Sequence, residues 1–221
     1  MTALLGRSTP APHSVRADPS TQLRTGPVEA CVYLDAGPST SSGRTGETFI
    51  PCEFRVKWAA SAWEREQAHA LRRAVFCIEQ GIFLGDDRDA IDAHAQSIVA
   101  VSCVGGAPDE VVGTVRIHEE SPGLWWGSRL AVHAAFRHHG RIGATLIRLA
   151  VSSAHARGCH TFLAHVQSQN VPMFERLHWT VLQAEMLHGR AHQLMRADLS
   201  QYAPCTTPDN GFVTRSIGAR T

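Results

Sequence analysis

No run of apolar residues in this 221-residue chain approaches the ~20 needed to cross a bilayer. The opening Met1-Thr2-Ala3-Leu4-Leu5 turns polar at Gly6-Arg7, too soon for a signal-peptide core. An excess of either charge is also missing: 21 Lys and Arg face 20 Asp and Glu, for a net charge of +1. Such a balance gives no basic field for nucleic acid and no acidic field for a basic partner. The six cysteines (Cys31, Cys52, Cys77, Cys103, Cys159 and Cys205) contain no Cys-x-x-Cys pair. Reduced thiols suit that scatter better than a disulfide frame or a zinc knuckle. The 13 histidines form no His-Glu-x-x-His and no cluster with cysteine at zinc spacing, so no metal is expected. There is no internal repeat, and there are only two tyrosines, Tyr33 and Tyr202. What these absences leave is a cytoplasmic protein with neither membrane nor nucleic acid as partner.

A hydrophobic fraction of 43% is enough for the core of one domain. Residues 1–50 are rich in Ser, Thr, Pro and Gly. They bury too little to offset their ordering entropy and read as a disordered N-terminal segment. Residues 203–221 are polar, punctuated by Pro204, Pro208 and Gly211, and read as a flexible tail. Between them, residues 51–202 read as a single mixed α/β domain.

The first strand is placed at Phe54–Trp58. Ser61-Ala62-Trp63-Glu64 has the form of a capping box, opening a helix with Leu71, Val75 and Ile78 on one face until Gly81 and Gly85 break it. Residues 97–104 and 111–117 read as a hairpin around Gly105-Gly106-Ala107-Pro108-Asp109. A strand over Leu124–Val132, a helix from Gly140 to Ala156 and a strand over Thr161–Val166 follow. A short helix over Val171–Leu177 and two antiparallel strands around His188-Gly189 complete the order β-α-β-β-β-α-β-α-β-β.

The most informative stretch joins Arg129-Leu130-Ala131-Val132-His133 to Arg137-His138-His139-Gly140-Arg141-Ile142-Gly143-Ala144-Thr145. It reads as a strand, a basic glycine-containing turn and a helix start. A helix N-terminus offers unpaired N–H groups at the positive end of the dipole, where phosphate binds. Arg137 and Arg141 add charge, and Gly140 and Gly143 leave room for an anion. A pyrophosphate-bearing cofactor is therefore one reading of the turn. An ordinary strand-to-helix loop with surface arginines is the other.

These residues resemble the acetyl-CoA signature of the GNAT superfamily of N-acetyltransferases, Arg/Gln-x-x-Gly-x-Gly/Ala after a Leu-Ala-Val-like strand end. Arg137-x-x-Gly140 fits the first half, and Gly143 then comes one residue late. In the alternative frame His138, Arg141 and Gly143 take the three slots, with Arg141 in place of glycine. Three further segments resemble the superfamily in the expected order. They are Arg72-x-x-Val75-Phe76-x-x-Glu79-Gln80, with Asp87, Asp89 and Asp92 beyond it; Gln167 to Trp179; and Gly189-x-x-His192-x-x-Met195. The subgroup that comes nearest is one associated with nitrogen starvation and nitrilase gene clusters.

The resemblance implies an α/β (α+β) GNAT fold. Its central sheet of about seven strands would be mixed, mostly antiparallel, flanked by helices and splayed at the cofactor cleft. It implies acetyl-CoA as cofactor, an amine as acceptor and N-acetyl transfer as the reaction, with a homodimer left open. Cofactor contacts would come from Leu130, Ala131, Val132, Arg137, His138, Gly140, Arg141, Ile142, Gly143, Ala144, Thr145, Asn170 and Phe174. Asn170 also suits a helix N-cap. Phe174 stands where many relatives carry a Tyr acid, so a Tyr acid would require Tyr202 to fold back. Glu79 is the first candidate base, then Glu119 beside Glu120, with His133 as a proton shuttle and His118 equally ambiguous. Asp86, Asp87, Asp89 and Asp92 could draw a cationic amine or simply be solvated. Trp125 and Trp126 fall on opposite sheet faces, one of them able to line the acceptor pocket. Two other functions stay open: a non-catalytic acyl-CoA-binding module, and an enzyme like the acyl-homoserine-lactone synthases, which share the Arg72-x-x-x-Phe76 pattern.

Overall fold

Strand β1 (Glu53–Trp58) is followed by Ser61, whose hydroxyl accepts the Glu64 N–H at 3.1 Å while Glu64 Oε2 accepts the Ser61 N–H at 3.0 Å. That reciprocal cap starts α1 (Ala62–Arg73). Lys57 Nζ, 2.6 Å from Glu64 Oε1, ties the cap to β1. The structure is a computed structural model, and it describes residues 53–139 and 141–216. The N-terminal segment read as disordered lies outside these residues.

Helix α1 does not keep its phase. Residues Ala74–Glu79 form a π-helical turn, which is wider than an α-turn. It rotates Phe76 inward and leaves Ile78 76% exposed, although Leu71 and Val75 are buried as expected. The α-periodicity that put Ile78 on the buried face ends where the wider turn begins.

Strands β2 (Gln96–Val104) and β3 (Ala107–Ser121) pair through a two-residue turn, Gly105-Gly106, both left-handed. Such a turn matches the strand twist. Ala107, Pro108 and Asp109, expected in the loop, therefore belong to β3. Strand β4 (Leu124–Val132) is followed by α2 (Ile142–His155) and β5 (Thr161–Gln167). Helix α3 (Val171–Glu175) carries Pro172 in its first turn, where no N–H is missed. Strands β6 (Trp179–Leu187) and β7 (Arg190–Ala197) form the next hairpin.

The expected tail departs from its reading. Past Tyr202, the Cys205 N–H donates to Ser152 O and Pro208 O accepts the Trp58 N–H. Residues Phe212–Arg215 then form β8, antiparallel to β1. Gly211 makes the approach: at φ +60 it lies so close that a Cβ would fall 1.9 Å from Val56 O. A four-residue strand is too short to show periodicity in a polar stretch.

Among the described residues eight strands form one sheet in the order β6-β7-β5-β4-β3-β2-β1-β8, and of their pairings only that of β4 with β5 is parallel. Helix α2 covers one face, over Phe54, Ile98, Val112, Ile117 and Phe162; α1 covers the other, over Val99, Val101, Val111 and Ala131. Strand β2 alternates between the two cores and reads as a continuous apolar run. Among the described residues no helix is long and apolar enough to cross a membrane.

Candidate active site

Strands β4 and β5 pair only from Leu124 to Gly127 and from Thr161 to Ala164. Beyond that rung β4 stays with β3 as far as Val132, and β5 stays with β7 as far as Gln167. The sheet thus forks, and a cavity of about 640 Å³ occupies the fork. That size suits a small-molecule site. Arg129 sits at a bulge in β4 with φ +55, where the register to β3 shifts. Bulges re-aim side chains beside active sites.

The side chain so aimed joins a buried charge cluster. Arg72 donates to Asp87 Oδ2 at 2.8 Å and to both Asp92 oxygens. Arg116 grips Asp89 with two N–H groups, at 2.6 and 3.1 Å, and stands 2.8 Å from Asp92. Arg129 reaches Asp87 Oδ2 and Asp89 Oδ2, at 3.0 and 3.1 Å, and lies 4.4 Å over the Phe83 ring. Burial by itself would raise Asp92, but the Arg72 bonds, the Asp89 N–H and the Arg116 charge hold it well below the usual carboxylate range. Asp87, Asp89 and Asp92 are therefore neutralised internally and fasten the loop after α1 onto the sheet. Asp86, exposed, pairs with Arg88.

Leu130 lines the cavity, and with Val132 packs toward the α2 core, whereas Ala131 is buried on the α1 side. Helix α2 starts where β4 ends. Arg141 is its N-cap, at φ 50 and ψ 34, a left-handed conformation that glycine favours. Arg141 is the residue that takes the glycine slot in the alternative frame of the resemblance. Ile142 is buried and Ala144 packs against the core, so neither side chain faces the turn. The Thr145 hydroxyl bonds back to Arg141 O, on the flank of a second hollow between α2 and the C-terminal segment. His138 is exposed in the same turn; Gly140 lies outside the described residues.

Glu79 and Arg137, expected in separate roles, are each other's partner at 2.5 Å. Arg137 also donates to Val132 O at 3.1 Å. Its hydrogen bond lowers Glu79 below the usual carboxylate range, which weakens it as a base. Glu119 accepts the Gly123 N–H in the β3–β4 turn, while Glu120, one residue on, lines the cavity. His133 caps the short turn Ala134–Phe136, accepting the Ala135 N–H. Asn170 makes no side-chain cap bond; it and the buried Phe174 line the cavity. Tyr202 does fold back, but its hydroxyl is buried between Trp179 Nε1 and Leu177 O, a structural place rather than an acid's.

The α1 side of the fork is walled by His118, Glu120, Trp126 and His165. Burial, then Arg116 and His94, lower His118 and keep it neutral near pH 7. Trp126 donates to Glu120 at 2.9 Å and lies 5.0 Å from the His165 ring; Trp125 is in the core on the other face. His165 was not singled out from sequence. Its signal was there: in Phe162-Leu163-Ala164-His165-Val166 the alternation sends it opposite three core residues.

The profile of the Acetyltransferase (GNAT) family matches residues 57–179. Among solved structures, a suggested N-acetyltransferase from Lactobacillus plantarum is 25% identical, with a TM-score of 0.59 over 66% of this chain and 98% of that one. ElaA from Escherichia coli is 19% identical, with a TM-score of 0.56 over 66% and 99%. The AHL synthase LasI is 14% identical, with a TM-score of 0.54 over 68% and 91%. The last two show the fold alone. No curated protein matches the sequence. With the family profile spanning more than half of its length and the forked sheet in place, the chain belongs to the GNAT acetyltransferase family and is an acyltransferase.

Proposed function

We propose that the protein transfers an acetyl group from acetyl-CoA to a primary amine on a small molecule or a protein. The observation that carries this reading is the fork. The β4 edge from Ser128 to Val132 pairs with no strand on its β5 side, so its backbone groups, apart from the Val132 carbonyl that Arg137 holds, are available to an extended, amide-bearing arm. The neighbouring residues fit such a cofactor. Gly143, in the first turn of α2, has open space: a Cβ there would meet only Met173 Sδ and Val132 Cγ2, each at 3.9 Å. The protein's own packing does not demand a glycine there, whereas a phosphate approaching the helix N-terminus would. Arg137 and Arg141 stand beside it. On the other side of the fork, the polar wall of His118, Glu120 and His165 suits an amine that must lose a proton.

Titrating acetyl-CoA into the full chain by calorimetry, with desulfo-coenzyme A for comparison, tests the cofactor. Saturable one-to-one binding is expected. Thiol release across a panel of amines then tests the reaction, and S-adenosylmethionine belongs in that panel because LasI shares the fold. Absence of binding would overturn the reading. Turnover with S-adenosylmethionine alone would narrow the acceptor to that one amine, as in a synthase.

A further inference from the structure

His165 is the first residue of β5 past its last rung with β4, Gly127 to Ala164. It therefore stands at the apex of the fork. Phe162, Ala164 and Val166 turn into the α2 core, so the imidazole projects to the α1 side, where it lines the cavity with 37% of its side chain exposed. Its Nε2 is 3.1 Å from Glu185 Oε2 on β6, reaching over β7. Trp126 lies against the ring face, tilted 33°, with its own indole held by Glu120. Nδ1 makes no hydrogen bond to the described residues. One nitrogen is thus anchored by a carboxylate, and the other is available to a ligand.

The carboxylates near the fork are committed elsewhere. Glu79 is held by Arg137, Glu119 by the Gly123 N–H and Glu120 by the Trp126 N–H. Asp89 and Asp92 are saturated by arginines. His118 also lines the cavity, but its Nδ1 is buried away from solvent with no hydrogen-bond partner among the described residues, and no carboxylate holds its ring as Glu185 holds that of His165. An alkylamine is almost wholly protonated near pH 7, with a pKa of about 10, so the reaction needs a base within reach of its nitrogen.

We propose that His165 is the general base of the acyl transfer and that Glu185 is its positioning residue, a proposal that rests on the reading of the fork as an acyl-CoA site. The acceptor ammonium gives one proton to His165 Nδ1. The freed lone pair forms the C–N bond to the thioester carbonyl carbon, and the C–S bond breaks with its electron pair going to sulfur. The second proton lost by nitrogen ends on the thiol. The proton on His165 leaves to solvent along the exposed side of the ring. An ammonium and a thioester thus become an amide, a thiol and one released proton. Glu185 holds the Nε2–H tautomer, which leaves Nδ1 with the lone pair.

The test uses the full chain and the variants His165→Ala and Glu185→Gln, with acetyl-CoA affinity measured by calorimetry and turnover by thiol release. Both variants should bind acetyl-CoA within about twofold of wild type, since neither side chain touches the phosphate end; this also reports that they fold. In His165→Ala, kcat should fall about 10²- to 10⁴-fold with part of it restored by added imidazole. In Glu185→Gln, kcat should fall about tenfold with the amine KM little changed, as expected for a residue acting through the base. Ring ¹⁵N shifts of His165 should show an unprotonated Nδ1 in wild type and a mixed tautomer in Glu185→Gln. A wild-type chain that does not bind acetyl-CoA overturns the acyl-CoA reading and the base with it. Binding and turnover in wild type, matched within about threefold by His165→Ala, overturn the base alone.

Discussion

At Gly113 the backbone of β3 lies so close under α2 that a Cβ would come within 2.9 Å of Ile142 Cγ2 and Leu146 Cδ1, both side chains fully buried. Gly113→Ala should therefore cost about 1–3 kcal/mol through overpacking, read as a lower urea midpoint. Gly143 is the opposite case. Gly143→Ala meets only ordinary contacts, so the melting temperature should hold or rise slightly, while acetyl-CoA affinity drops about tenfold as the methyl crowds the helix N-terminus. Equal affinity would move the phosphate site away from this turn. Both glycines look alike in the sequence; only the neighbours that a Cβ would meet tell them apart. Glu79 and Arg137 teach the same lesson. Each was legible as a charged residue near the site, but their ion pair spans 58 positions and needs the fold to bring it about.

At the level of elements, the loop after α1 depends on the arginine–aspartate cluster. Asp89, Asp92 and Glu64 lie below the ordinary carboxylate range, because their cationic and N–H partners outweigh burial. His69 and His118 lie below the ordinary histidine value, chiefly through burial. In every case the unfolded chain holds more protons than the folded one at the same pH, so stability rises with pH. The histidine share is complete above about pH 6.5 and fades below it; the carboxylate share is complete above about pH 4 and fades in turn. Unfolding free energy measured from pH 8 to pH 3 should fall in those two stages. Asp92→Asn should lose roughly 3 kcal/mol at neutral pH, because it strips the buried Arg72 and Arg116 of a partner. A flat profile, or a neutral Asp92→Asn, would show that the cluster is not coupled to folding. Strand β8 makes a second test. Deleting residues 205–221 removes the Ser152 and Trp58 contacts and uncovers the edge of β1. The shortened chain should melt several degrees lower and aggregate more readily.

For the whole molecule, two cores lie on the two faces of one sheet, and the fork between β4 and β5 opens where neither helix fills the gap. A ligand bound there stabilises the folded state by mass action, about 2.7 kcal/mol at a hundredfold excess over Kd. Acetyl-CoA should thus raise the melting temperature by several degrees in the wild type and less in Arg137→Ala. Cys159 offers an independent gauge of global opening. Burial pushes its thiol up to about 11, so alkylation should be slow in the native state and keep pace with unfolding in urea.

Most of the elements could be read from the chain because their causes are local. The Ser61 capping box, the Gly105-Gly106 turn, the run of β2 and the span Leu124–Val132 each carry their signal within a few residues. The order of strands and helices, with the basic turn after β4, was enough to point to the fold through resemblance. The causes of the remainder are not local. The π-turn that exposes Ile78 answers to packing against the sheet, and β8 exists because Gly211 lets the chain approach Val56. The partners of the acidic loop lie on β3, β4 and α1. His165 reads from its alternation as a polar residue on the sheet face opposite the core, but its nearness to Glu185 depends on the register of β6 and β7. Local propensity and period determine which elements form. Which charges meet, and which nitrogen is left for a substrate, was decided only when strands distant in sequence came into register.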